Sequence, residues 1–460
     1  MRHSATLLGL ACVAAALVAV PPLDASLAGA AHVVSPLVAT PRGWTPQTNG
    51  LSHSATLNGV AVANTGTVWT VGTLAGASGV DHGAIYRSTD GGAHWARRSL
   101  AAAHTGLTAV GFFSSRGWAV GYSTTSAGKP RGLVLSTANG GATWKAQDSG
   151  AAARLNAVSV VDTNNAWAVG DGGTVRCTAN GGDTWTARNT GKAASLRGVT
   201  FLDWSHGWAV GDNGTILRTN NGGKSWTAQT SHTHASLSAV AFTSTSSGWV
   251  AGSSGVILHT TNGGGTWKRQ SSNLGTYMGL GSLTFTDSTH GWAVGSASYR
   301  LWGLVLYTSD GGKTWKTQTY HLGAGLSAVA CPAHSLLAWA AGDKGTVLHT
   351  NDGGGTGFTD KKPPTTKALN SIVVAKGKQF IVKYGVDDTQ SARAATWIEV
   401  KTTTGTEVQT YWIGLEATNG TLTAKLKATV AKGRYVYTVV AIDLAGRTVA
   451  APGANTLTVK

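Results

Sequence analysis

The amino-acid sequence predicts an all-β protein: a seven-bladed β-propeller followed by a second, sandwich-like β domain. Three observations carry that expectation. A phrase of the form Gly-Trp-Ala-Val-Gly recurs with its Trp at 69, 118, 167, 208, 249, 292 and 339. A second phrase, Thr-x-Asn/Asp-Gly-Gly-x-Thr-Trp or a close variant, follows each one, so that the unit repeats every 41 to 49 residues. The composition is skewed to match: of 460 residues 63 are Gly and 18 are Trp, while only 12% are charged, against about a quarter in an average domain. A fixed period of this length, built from short strands and Gly-rich turns, is the signature of propeller blades.

The elements follow in order. Arg2 and His3 precede the apolar run Leu7 to Val20, and Ala28-Gly29-Ala30 offers a small-x-small cleavage site. Residues 1–30 are therefore expected to be a secretory signal cleaved near Ala30, which makes the protein secreted or extracytoplasmic. No later stretch reaches the roughly 18 apolar residues of a membrane span, so no transmembrane segment is expected. Residues 44–357 are the predicted propeller. Its third copy shows the pattern plainly: strands at 155–160, 166–170, 174–178 and 185–188 are separated by Asp162-Thr-Asn-Asn, Asp171-Gly-Gly and Asn180-Gly-Gly, each a hairpin turn signal. The seventh copy ends at Thr350-Asn-Asp-Gly-Gly-Gly-Thr-Gly357 without its Trp or fourth strand. The missing strand is found at the other end, where Trp44-Thr-Pro-Gln47 matches Trp144-Lys-Ala-Gln147. The ring is thus expected to close by seating the N-terminal strand in blade seven, which removes exposed sheet edges.

Residues 358–367, with Lys361-Lys-Pro-Pro364, read as a linker, and 368–460 as the second domain. Candidate strands there are 371–374, 379–384, 397–402, 422–428, 434–443 and 455–460. The run Gly433-Arg-Tyr-Val-Tyr-Thr-Val-Val-Ala-Ile-Asp443, followed by Ala445-Gly446-Arg447, resembles the penultimate strand and turn of bacterial immunoglobulin-like modules, which implies an immunoglobulin-like β-sandwich.

The Ser/Thr-x-Asp/Asn-Gly-Gly-x-Thr/Ser-Trp phrase resembles the Asp-box, or BNR repeat, of sialidases, sortilin-type receptors and some glucanases. Together with Gly-Trp-Ala-Val-Gly and Gly-Thr-Ile/Val-Leu-x-Thr it is more specifically similar to the propellers of photosystem II stability/assembly factors. The resemblance covers about residues 44–355 and implies a non-catalytic binding scaffold.

The residues themselves argue against an enzyme. The box positions Asp90, Asn139, Asn180, Asn221, Asn262, Asp310 and Asp352 have a structural explanation: each can accept hydrogen bonds from turn amides, while the Gly pair supplies positive φ. Glutamate occurs only at 399, 407 and 416, so the propeller has none, whereas glycosidases need two convergent carboxylates. No catalytic residue is assigned; the alternative is a carbohydrate-active hydrolase of the sialidase/glucanase propeller type working with Asp alone. His232-x-His234 lacks a third ligand, so no metal is expected, and no motif implies a cofactor.

Candidate binding residues come from departures from the repeat. Arg197 is the one Arg among the equivalent inner-strand positions Asn58, Thr108, Asn156, Arg197, Ser238, Gly281 and Ser327. Blades one, two and six carry insertions at 73–83, 122–132 and 296–303, expected as loops on the face opposite the boxes. They bring Lys129, Arg131, Tyr299, Arg300 and Trp302, a basic and aromatic set suited to protein or glycan contact. The net charge of +16 is spread over both domains, with 20 basic against 12 acidic residues in 44–358 and 12 against 6 in 365–460. An acidic protein or glycan of the cell envelope is the expected partner; without a basic helix or stacking motif, nucleic acid is not, and a monomer is expected. Cys177 and Cys331 fall in blades three and seven, too far apart to bridge.

Overall fold

The computed structural model describes residues 43–354 and 365–460, apart from 65, 77–80, 99–103, 125–127, 276–277, 298–302, 321–323, 334, 388–392, 406, 418–419 and 444–451. The predicted signal therefore lies outside the described residues, as do Gly357 and most of the predicted linker.

Seven four-stranded antiparallel sheets form the propeller, six of them built from consecutive strands. The seventh is composite: Thr45–Pro46 pairs with Val347–Thr350, which continues to Ala338–Gly342 and Leu326–Ala330. The sequence dictates how the blades lock together. Trp69, Trp118, Trp208, Trp249, Trp292 and Trp339 from the second strands are fully buried. In blades three, four and five this Trp stacks on a Phe of the following blade, Trp167 on Phe201 at 3.9 Å, Trp208 on Phe242 at 3.6 Å and Trp249 on Phe285 at 3.7 Å. The same Phe meets its own blade's box Trp edge-on, as at Trp226, Trp267 and Trp315. Large rings thus bury much apolar area at these interfaces in a favourable stacked and T-shaped arrangement.

A glutamine clamp adds polar specificity. Gln147, Gln229 and Gln270 end fourth strands and Gln318 lies within one, and each accepts the indole N–H of the next blade's Trp185, Trp267, Trp315 or Trp44 at 3.1, 3.2, 3.4 and 2.8 Å. Their amides donate onward to the box carbonyls of Gly181, Gly263, Gly311 and Gly353. These rings thus bond a Gln side chain, while Trp167, Trp208, Trp249 and Trp339 of the second strands donate to the backbone carbonyls of Gly222, Gly263, Gly311 and Gly91. Where Arg98 and Arg188 replace the Gln, the buried Nε1 of Trp144 and Trp226 has no partner. Gln229→Ala should accordingly cost about 2 kcal/mol by orphaning the Trp267 N–H, and Arg188→Gln should stabilise; equilibrium urea unfolding checks both, and a stabilised Gln229→Ala protein would refute the clamp.

In blades one and two the insertions expected as loops extend the sheet. Blade one runs its second and third strands as Thr67–Ala75 and Asp81–Ser88, and blade two as Arg116–Thr124 and Pro130–Thr137, against the short Ala166–Gly170 and Val175–Thr178 of blade three. Their Thr, Val, Tyr and Leu residues keep a pleated register with their neighbours, so the extra length lengthens the hairpins and raises these blades on one face.

The second domain is a sandwich. Thr365–Ala368, Gln379–Asp387 and Gly420–Lys427 make one sheet, and Ile372–Val374, Gly453–Val459, Gly433–Asp443, Arg393–Thr402 and Glu407–Ala417 the other. Phe380, Val382, Tyr384, Ile398, Val400, Val439 and Leu457 fill the space between them. The three-plus-five order and the parallel pairing of Ile372–Val374 with Gly453–Val459 are compatible with the immunoglobulin-like expectation. Two strands went unpredicted, Glu407–Ala417 and Thr365–Ala368, and the latter begins inside the stretch read as linker. Val440 faces away from the sandwich core and is buried with Met278, Leu280 and Leu304 of blade six.

Candidate functional site

All seven inner strands carry a register shift at the same place, between Leu57 and Gly59, Leu107 and Ala109, Leu155 and Ala157, Leu196 and Gly198, Leu237 and Ala239, Leu280 and Ser282, and Leu326 and Ala328. The residue skipped each time is Asn58, Thr108, Asn156, Arg197, Ser238, Gly281 or Ser327. A bulge leaves such a residue out of the ladder and re-aims its side chain. Here all seven line one cavity of about 330 Å³ at the ring's centre. In three of the first blades the bulge side chain also ties its blade to the next: Asn58, Thr108 and Asn156 donate to the carbonyls of Leu107, Leu155 and Leu196 at 2.9, 2.8 and 2.9 Å.

The cavity opens on the face opposite the Asp-boxes, because its rim is built from residues before the first strands, Arg154 and Gly325, between second and third strands, Ser253 and Asp343, and near the end of a second strand, Ser296. Two cations sit there. Arg197 makes a two-pronged pair with Asp212, Nε to Oδ1 at 2.5 Å and Nη2 to Oδ2 at 2.9 Å. Arg154 lies over the Tyr122 ring, 4.9 Å from its centroid, and its Nε is buried without a hydrogen-bond partner. Asp171 accepts from Asn156 Nδ2 at 2.8 Å. The Arg197 bond, against the opposing effect of burial, holds the Asp212 carboxyl below the ordinary carboxylate range, so at neutral pH it is an ionised acceptor rather than a proton donor.

Asp171, Asp212 and Asp343 read in sequence as turn residues, and they do open tight turns. The structure adds the second role just described for Asp171 and Asp212, and it lines the mouth with Asp343. Arg154 went unnoticed although a signal existed: it is the one Arg directly before an inner-strand Leu, where the other copies have Thr56, Gly106, Ser195, Ser236, Gly279 and Gly325.

Of the residues singled out in the sequence, Arg197 lines the cavity. Lys129 and Arg131 are exposed at the tip of the raised blade-two hairpin and do not line it; Tyr299, Arg300 and Trp302 lie outside the described residues. The box side chains are occupied within their own turns. Asn180 Oδ1 accepts from the Thr178 hydroxyl at 2.9 Å and the Thr184 N–H at 3.0 Å, and its Nδ2 donates to the Thr184 hydroxyl. Asn139, Asn221 and Asn262 repeat this, Asp90 and Asp310 do so with carboxylates, and Asp352 accepts from Thr350 and Gly354. Both cysteines are free thiols, and burial pushes Cys331 up to about 11, which keeps it protonated. Among the described residues no three His, Cys, Asp or Glu side chains are grouped to hold a metal, and no helix is long and apolar enough to cross a membrane.

Seven Asp-box blades around a polar central cavity define a propeller of the BNR-repeat class. The chain belongs to the photosynthesis system II assembly factor YCF48 family, whose profile matches residues 44–197, 189–275 and 270–359. Among solved structures, one titled "YCF48 bound to D1 peptide" superposes with a TM-score of 0.53 at 18% identity over 69% of this chain and 99% of its own. YCF48 from Cyanidioschyzon merolae gives 0.53 at 19% over 67% and 98%, and the WD40 propeller domain of Doa1 gives 0.52 at 12% over 67% and 96%. Among curated proteins none matches significantly.

Proposed function

We propose that the chain is an exported, non-catalytic scaffold whose propeller binds a protein segment of the cell envelope across the cavity mouth. The observation that carries this reading is the mouth itself: Arg197 and Arg154, held by Asp212 and Tyr122, beside the raised hairpins of blades one and two. Guanidinium groups with fixed orientation suit carboxylates and backbone carbonyls of an extended, acidic segment. Membership of an assembly-factor family and a neighbour whose title records a bound peptide support a protein ligand over a glycan.

A panel of short acidic peptides, followed by fluorescence anisotropy, tests it. Arg197→Ala combined with Arg154→Ala should weaken binding at least tenfold, since charge-assisted bonds contribute about 1.5–3 kcal/mol each, without shifting the unfolding midpoint by more than a surface change would. Replacing Arg131 by Ala tests the raised blade-two hairpin in the same way, and replacing Arg300 and Trp302 by Ala tests the blade-six insertion. Turnover of sialosides or β-glucans by the purified protein would overturn the non-catalytic reading.

A further inference from the structure

The sandwich keeps all but one of its strand carboxylates on one sheet. On the three-stranded sheet, burial alternates along Gln379–Asp387: Phe380, Val382 and Tyr384 turn inward, while Gln379, Ile381 and Lys383 are exposed. Antiparallel to it, Thr423, Lys425 and Lys427 are exposed around buried Ala424. The register sets Lys427 opposite Gln379, Lys425 opposite Ile381 and Thr423 opposite Lys383. Lys367, on the third strand, faces the same way, paired at 3.3 Å with Asp387, the one carboxylate on these three strands. Lys376 and Lys378, both exposed, extend the field in the turn leading into the sheet. Glu399, Glu407, Glu416 and Asp443 all belong to strands of the other sheet. That other sheet is also the one whose Val440 is buried against blade six, so the lysine face belongs to the sheet away from that contact.

Lysines gathered on one flat face repel one another, an unfavourable arrangement that an anionic surface relieves. In their midst is an aliphatic residue, Ile381, 47% exposed, with Leu369, 46% exposed, beside it. The cations on this sheet are all Lys. Lys is a compact, strongly hydrated charge on a long apolar stem, whereas recognition of discrete phosphates or carboxylates favours the bidentate fork of Arg. A flat field of Lys around small aliphatic contacts matches a diffuse negative surface with an apolar interior beneath it.

We infer that the three-stranded face of the sandwich, centred on Ile381, Lys383, Lys425 and Lys427, docks on an anionic phospholipid bilayer. Binding is interfacial and salt-dependent, and it leaves the propeller cavity available to its own ligand.

Sedimentation of the full chain with vesicles of phosphatidylcholine alone, or mixed with phosphatidylglycerol, tests this. The apolar stretch before residue 30 is common to every variant, so differences between variants report the sandwich face. Binding should require phosphatidylglycerol and fall steeply between low and physiological salt. Lys383→Gln with Lys425→Gln should weaken it roughly 25-fold, taking about fivefold for each lysine near such a surface. An unchanged unfolding midpoint would show that the fold is intact, and Arg97→Gln, an exposed cation on the propeller, should leave binding unaltered. Equal binding to neutral vesicles, undiminished binding by the double variant, or capture by soluble polyphosphate with none by vesicles would each overturn the inference.

Discussion

Trp44→Ala should lower the stability of the propeller by about 3 kcal/mol and favour self-association. Trp44 stands alone at the start of the described chain, yet it packs against the cluster of Trp292, Val305, Leu326, Val329 and Leu348, which joins blades six and seven. Its indole N–H donates to Gln318 Oε1 at 2.8 Å. The two following residues pair with His349 and Leu348, and the Gln47 N–H reaches the Val347 carbonyl at 2.8 Å. Losing the ring forfeits burial and leaves a cavity, for which large aromatic truncations cost about 3–5 kcal/mol when complete; partial exposure of Trp44 puts the expected value at the lower end. The second effect is topological. Without its anchor the strand frays, and Val347–Thr350 becomes an unprotected edge, a template for pairing with another chain. Urea unfolding and size-exclusion chromatography read the two effects separately. A monomeric variant destabilised by less than 1 kcal/mol would show that closure rests on other contacts.

Ring closure was legible in the sequence because it depends on a repeat being incomplete at one end and supplied at the other, and Trp44-Thr-Pro-Gln47 carries enough of the motif to be matched. Blade number and strand order were legible for the same reason. What could not be read was whatever depends on side chains meeting across blades. The seven inner-strand positions could be aligned, but the bulge that turns them into the cavity is a backbone event with no residue signature, since Asn, Thr, Arg, Ser and Gly all occupy it. Asp212 looked like a turn residue because it is one; its pairing with Arg197 requires the two strands to be set side by side. In the sandwich, Thr365–Ala368 was hidden by the Pro-Pro and Thr-rich context before it, and only pairing with Gln379–Asp387 makes it a strand.

The aromatic interfaces supply the sharpest test of that kind of cross-strand dependence. In blades four, five and six the first strand ends on Phe201, Phe242 or Phe285, and in blade two Phe112 is its last residue but one; the residue directly opposite is Gly207, Gly248, Gly291 or Gly117. A Cβ on Gly248 would lie 2.4 Å from Phe242 Cε1. The ring cannot retreat, being stacked on Trp208 at 3.6 Å and edge-on to Trp267. In blades one and three the pairs are Val62 with Val68 and Val160 with Ala166, so the larger partner shrinks where the smaller one grows. Gly248→Ala should therefore cost about 3 kcal/mol through overpacking, and Phe242→Val about 2 kcal/mol through the cavity it leaves. Combined, they recreate the blade-three pairing, and the clash term disappears. The double variant should then be no less stable than Gly248→Ala alone, giving a coupling of about 3 kcal/mol in a double-mutant cycle where distant sites would give none. Simple additivity of the two losses would mean that the glycine is required by its backbone and not by the ring above it. Its strand φ lies outside the positive range, which leaves the ring as the reason for the glycine.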